Sequence, residues 1–165
     1  MIQFSAQTKL YSPEKLMHQV SIWRFLGDTI VFTNGCFDIL HVGHLHSLIE
    51  ARKLGKRLIV GLNSDASVKK LKGEFRPIHS ENDRALMLAA LMCVDAVVVF
   101  EEETATSLIE LVKPEIYAKG GDYQPETLPE YPAVMQNGGK VVIIPFVAGH
   151  STTQIIQTLS GKSLT

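Results

Sequence analysis

Cysteine is scarce in this chain: Cys36 and Cys93 are the only two, and they stand far apart. That usage excludes a disulfide framework, and Cys36 beside an apolar run suits a reduced thiol in a cytosolic protein. Long hydrophobic runs are missing too, since no stretch approaches the ~20 apolar residues a membrane helix needs. The N-terminus has no basic leader followed by an apolar core, so a soluble, cytoplasmic protein with no membrane contact is expected. Neither sign of charge is in excess, because 16 Lys and Arg face 17 Asp and Glu for a net charge of -1. A nucleic-acid partner would call for a basic stripe, and the densest basic cluster here, Lys69, Lys70 and Lys72, is short and reads as a solvated helix face.

An apolar fraction of 45% in 165 residues is enough for one compact domain with a real core. From Ile30 onward, short runs rich in Val, Ile and Phe alternate with helical patterns, the signature of βα units and of a parallel sheet covered on both faces. Strands are predicted at 29–33, 58–62, 96–100, 115–118 and 141–145. Helices are predicted from Gly43 to Leu54, from Ser80 through Met92, from Thr104 to Pro114, and from Ser151 past Leu159, with Ser80, Thr104 and Ser151 as candidate caps. Ser12-Pro13 opens one more helix through Leu26. Residues 1–28 carry no readable motif and are expected to form an N-terminal extension packed on a domain spanning 29–165. Two long loops, 73–77 and 120–132, are places where function tends to sit.

The densest chemistry lies in the run from Thr33 to His44, which reads Thr-Asn-Gly-Cys-Phe-Asp-Ile-Leu-His-Val-Gly-His. It falls at the end of the first predicted strand and opens the helix after it, where open α/β sheets bind ligands. Gly35 permits a tight turn, Gly43 permits close approach of backbone to a bound group, and free amides at a helix start favour an anion. A phosphate is the natural ligand. His41 and His44 are three residues apart, so both imidazoles lie on one side of the helix start and can donate to the same phosphate. Zinc is the alternative for a cluster of His41, His44 and His46, but His46 points elsewhere and no cysteine or carboxylate completes a tetrahedral set.

Gly35-Cys36-Phe37-Asp38 followed by His41-Val42-Gly43-His44 resembles the signature of the cytidylyltransferase-like nucleotidyltransferase superfamily. Gly149-His150-Ser151-Thr152-Thr153 resembles its C-terminal serine-threonine motif, in which hydroxyls and helix amides hold a triphosphate. Further blocks, Asn63-Ser64-Asp65, Arg76-Pro77, Val94-Asp95 and Lys119-Gly120-Gly121-Asp122-Tyr123, are similar to those of bacterial heptose-1-phosphate adenylyltransferases. The resemblance covers roughly 30–159 and implies a Rossmann-like three-layer αβα fold, here with a five-stranded parallel sheet.

The resemblance also implies a set of roles. His41 and His44 would stabilise the α-phosphate, Lys72 would bridge the phosphates of both substrates, and Arg84 would contact nucleotide or acceptor phosphate. Asn34, Gly35, Cys36, Phe37, Gly43, Gly120 and Asp122 would bind the nucleotide, with Ser151, Thr152 and Thr153 on its β- and γ-phosphates. Asp38 is expected to hold the turn, and Arg76 to approach the sugar phosphate. ATP would enter with Mg²⁺ held mainly by substrate oxygens and water, with no protein metal site, and react with a sugar phosphate in a homodimeric enzyme. Two alternatives stay open: a cytidylyltransferase using CTP and a polyol or ethanolamine phosphate, and a nucleotide-binding sensor without catalysis.

Overall fold

Strands whose residues are buried on both faces can lie only inside a sheet sandwiched by helices, and the central strands here are almost wholly buried. In the computed structural model, which describes residues 5–146 together with Thr152, Ile155 and Ile156, they form one parallel sheet. Its strands are β1 (Leu10–Tyr11), β2 (Ile30–Gly35), β3 (Arg57–Asn63), β4 (Ala96–Phe100), β5 (Ile116–Gly120) and β6 (Lys140–Ile144). The order across the sheet is β1-β4-β3-β2-β5-β6. The chain therefore winds outward from β2 through β3 to β4, then crosses back to β5 on the other side of β2.

Within residues 5–146 six α-helices accompany this sheet: α1 (Pro13–Phe25), α2 (Val42–Lys53), α3 (Asp65–Lys72), α4 (Glu81–Ala90), α5 (Thr106–Val112) and α6 (Tyr131–Gln136). On one face Leu16, Val20 and Trp23 of α1, Leu108 and Ile109 of α5 and Val134 of α6 pack on Phe32, Ile59 and Tyr117. On the other, Leu48 and Ala51 of α2 and Ala85 and Leu88 of α4 pack on Val31, Leu58, Val60 and Ala118. The result is the expected three-layer αβα arrangement. Local chemistry sets the helix starts: Ser12 accepts from Lys15 N at 3.4 Å ahead of Pro13, and Ser80 accepts from Asp83 N at 3.2 Å while bonding the Asp83 carboxylate at 2.7 Å.

The sheet has six strands where five were expected. The extra one, β1, comes from the N-terminal segment and pairs Leu10 with Val97 and Tyr11 with Val98 along the open edge of β4. Two residues carry no readable period; the free edge of β4 dictates the pairing. Thr104 does not cap α5 either, because its hydroxyl bonds Thr106 Oγ1 at 3.1 Å and the helix opens at Ala105 without a side-chain cap. Two short helices, α3 and α6, occupy stretches that the sequence pattern left unassigned or assigned to a loop.

Because Leu16, Val20 and Trp23 of α1 are buried in a core shared with the sheet, α1 packs on the domain as the N-terminal segment was expected to do. Leu16→Ala is expected to cost about 2–5 kcal/mol in urea unfolding, whereas a loss under about 0.5 kcal/mol would mark the segment as a surface appendage.

Candidate active site

Where β2 and β5 lie side by side, the chain leaves them in opposite directions, and the C-terminal ends of the two strands open a cleft. A cavity of about 920 Å³ fills it. Gly120 at the end of β5 makes this close approach possible, since a Cβ there would stand 2.9 Å from Ser47 Oγ of α2.

The turn from β2 into α2 forms one wall. Phe37 adopts the left-handed conformation with φ 45°, a strained position for a bulky side chain. Its ring lies over Gly35, where a Cβ would come within 3.1 Å of the ring, and it meets His44 at 5.2 Å between centroids. Gly35 thus supplies room for an aromatic ring, and the turn expected at Gly35 is made at Phe37. Asp38, 2% exposed, accepts from Ile78 N at 2.6 Å and His79 N at 3.1 Å and pairs with Arg76, so it straps the 76–79 loop to the turn. The bonds from His79, Arg76 and Ile78 outweigh burial and hold its carboxyl below the usual carboxylate range.

His41 caps α2. Its Nδ1 accepts from Gly43 N at 3.1 Å, which leaves the ring proton of the neutral imidazole on Nε2 as a donor. His44 stacks on it, 3.9 Å between centroids and 28° between planes. Burial, and then the neighbouring His41, push His44 down to about 4, with the Ile39 backbone pulling the other way. Two stacked imidazoles in a half-desolvated site cannot both carry charge cheaply, so His44 is neutral near pH 7.

The opposite wall holds Lys119, at the end of β5, whose Nζ donates to Asn34 Oδ1 at 3.1 Å and lies 5.8 Å from the centre of the Tyr117 ring. Tyr117 donates to the same Asn34 oxygen at 2.7 Å. Burial lowers the Lys119 ammonium and raises the Tyr117 phenol. Neither residue stood among the expected site residues; the lysine opening the Lys119-Gly120-Gly121-Asp122-Tyr123 block was the available signal.

Asn34, Gly35, Cys36, Phe37, His41, Gly43, His44, Lys72, Gly120 and Thr152 all line this one cavity. Thr152 is helical, and its companions Ser151 and Thr153, with His150, lie outside the described residues. Lys72 reaches the cavity from the last turn of α3 and is exposed. Asp122 is exposed and does not line it.

Arg84 departs from its expected place. It is 0% exposed and faces the protein, with Nε on His79 O at 3.0 Å, Nη1 on Cys36 O at 2.6 Å and Asn63 O at 2.9 Å, and Nη2 on Asp65 Oδ1 at 2.7 Å. A guanidinium so committed has little left to offer a phosphate, and its position beneath the turn makes it the tie between β2, β3, α3 and α4. Among the described residues, no group of three or more His, Cys, Asp or Glu side chains is placed to hold a metal ion.

Two outcomes are expected. Arg84→Ala strands three carbonyls and the Asp65 carboxylate, and a loss of about 3–5 kcal/mol in denaturant unfolding checks it; a loss under about 1 kcal/mol would contradict the tie. For His44 the folded state binds its proton later than the unfolded chain, so its contribution to stability is complete above pH 6.5 and is lost as pH falls toward 4. His44→Gln should flatten the stability profile in that window by ~3 kcal/mol at its acid end; an unchanged slope would place the imidazole in solvent.

Comparisons with known proteins place the chain in a family. Residues 32–158 match the cytidylyltransferase-like family. The chain is 51% identical over 152 residues to the bifunctional protein HldE of Syntrophotalea carbinolica and 53% identical over 148 residues to that of Nitrosococcus oceani, covering 92% and 90% of this chain. It spans 31% of the length of each. The crystal structure of the lipopolysaccharide core biosynthesis protein from Thermoplasma volcanium is similar at a TM-score of 0.60 and 32% identity, covering 73% of this chain and 98% of that one. With residues 32–158 matched by the family and about half of its residues identical to these relatives over nine-tenths of its length, the chain belongs to the cytidylyltransferase-like family.

Proposed function

We propose that this chain is a nucleotidyltransferase that moves the AMP unit of ATP onto heptose 1-phosphate, giving ADP-heptose and pyrophosphate. The observation that carries the reading is that His41, His44 and Thr152, distant in sequence, line a single cavity with Lys72 and Lys119. Five polar or cationic side chains around one cleft suit a polyphosphate, and identity near 50% to HldE proteins over nine-tenths of the chain favours this chemistry over other members of the family.

Nucleotidyl transfer asks a protein for alignment and charge stabilisation more than for covalent chemistry. An ionised oxygen of the sugar phosphate attacks the α-phosphorus, the bond to the bridging oxygen breaks, and pyrophosphate leaves with the electron pair. No general base is needed. His41, donating from Nε2, and His44 would meet the charge growing on the α-phosphate, with the amides at the start of α2 behind them. Thr152, with its neighbours Ser151 and Thr153, would hold the β- and γ-phosphates. Lys72 and Lys119 would neutralise the two phosphates that must approach each other. Mg²⁺ would enter on the triphosphate, held mainly by substrate oxygens and water, and would offset charge on the leaving group.

The sensor reading is less favoured because the histidine pair and the Ser-Thr-Thr run are both intact. The homodimer and cytoplasmic location expected of such an enzyme stand as part of the proposal; no helix among the described residues is long and apolar enough to cross a membrane, and light scattering reads the mass.

Purified protein supplied with ATP, Mg²⁺ and heptose 1-phosphate should release pyrophosphate, and His44→Ala should lower kcat by about 10²–10³-fold while leaving the fold intact. Turnover with CTP alone, or unchanged kinetics in the variant, would overturn the assignment.

A further inference from the structure

The cavity does not end at the phosphate-binding side. Past the ends of β2 and β5 it continues to the face covered by α5 and α6, where Thr104, Leu128, Pro129 and Glu130 line it. Glu130 is 2% exposed. Its Oε1 accepts from Ala105 N at 3.3 Å, which ties the loop before α6 to the start of α5. Its Oε2 is buried with no hydrogen-bond partner among the described residues. The Tyr117 hydroxyl stands within hydrogen-bonding reach of the Glu130 carboxylate, but its one proton goes to Asn34 Oδ1 at 2.7 Å, so it does not serve Oε2. Lys119 Nζ donates to that same Asn34 oxygen at 3.1 Å.

A buried acceptor without a donor is costly, and this one stands where a ligand enters. Phosphates offer it nothing, because they carry no donor when ionised and a carboxylate repels them. The donor that both proposed substrates do carry is a sugar hydroxyl. Glu130 at the start of α6 and the histidines at the start of α2 line the same cavity from different elements, so one side offers a carboxylate acceptor suited to a sugar hydroxyl and the other offers imidazole donors suited to phosphate.

We infer that Glu130 is a specificity-determining residue, whose unpaired Oε2 accepts a hydrogen bond from a sugar hydroxyl of bound substrate, on the acceptor sugar or on the ribose. The inference rests on the transferase reading above and assigns a place within its site.

Glu130→Gln keeps the shape and an oxygen for Ala105 N while removing the charge. Kinetics with ATP and heptose 1-phosphate, and calorimetric Kd values for each substrate and for 2′-deoxy- and 3′-deoxy-ATP, separate the sources. A rise of about tenfold in KM and Kd for one substrate is expected, with kcat within about threefold of wild type and Tm little changed. A rise confined to heptose 1-phosphate assigns the acceptor sugar; a rise confined to ATP and absent for one deoxy analogue assigns that ribose hydroxyl. Unchanged KM and Kd for both, or lost stability with KM values intact, would overturn the inference and leave Glu130 a structural tie. Were the wild type to release no pyrophosphate, the transferase reading would fall by itself and the Kd comparison would still decide. A variant that does not fold is bypassed by wild-type discrimination between each substrate and its deoxy analogues, where equal binding throughout counts against the inference.

Discussion

The site depends on one buried guanidinium. Arg84 bonds Cys36 O, Asn63 O, His79 O and the Asp65 carboxylate, so the turn after β2, the end of β3, the loop before α4 and the start of α3 share a single anchor. Burying that charge is affordable only because four acceptors meet it, and the same four bonds join segments that are distant in sequence. Asp38 adds the complementary strap, holding the 76–79 loop from the other side of the turn. Between them they hold Phe37 in its left-handed conformation, and Phe37 in turn is packed against His44.

A rigid wall explains the electrostatics that follow from it. His41 is locked in one tautomer by the amide of Gly43, and His44 is kept neutral by burial and by the ring stacked upon it. Burial weakens the Lys119 ammonium as well. The pocket thus carries donors whose charged forms are disfavoured by desolvation, and an incoming polyphosphate would supply the counter-charge that favours them. Donors fixed before the reaction need no reorganisation as charge develops, which is where such sites gain most of their effect.

Much of this was legible in the residues because the signals were local. Five strands announced themselves as short β-branched runs, and the Ser12-Pro13 and Ser80 caps marked helix starts that the structure keeps. The histidine pair was legible because its spacing of three, at a strand end, puts two imidazoles together whatever the rest of the fold does. Elements fixed by tertiary contact were not legible: β1 exists because β4 has an open edge, and α6 is six residues with a proline in its first turn. Arg84 shows the same limit, since a helix arginine reads as a phosphate ligand until its four acceptors, drawn from separate segments, are seen around it. Lys119 had a local signal in the block it opens, but Glu130 lines the cavity only through the packing of α6, which no local pattern encodes.

The central claim is that one polyphosphate spans the start of α2 and the segment containing Thr152. Side-chain ¹⁵N spectra of the histidines and the backbone amide of Thr152, followed together while a non-hydrolysable ATP analogue and Mg²⁺ are added, test it directly. His41, His44 and Thr152 should shift in concert along one binding isotherm; histidine signals that stay still while Thr152 saturates would contradict the account.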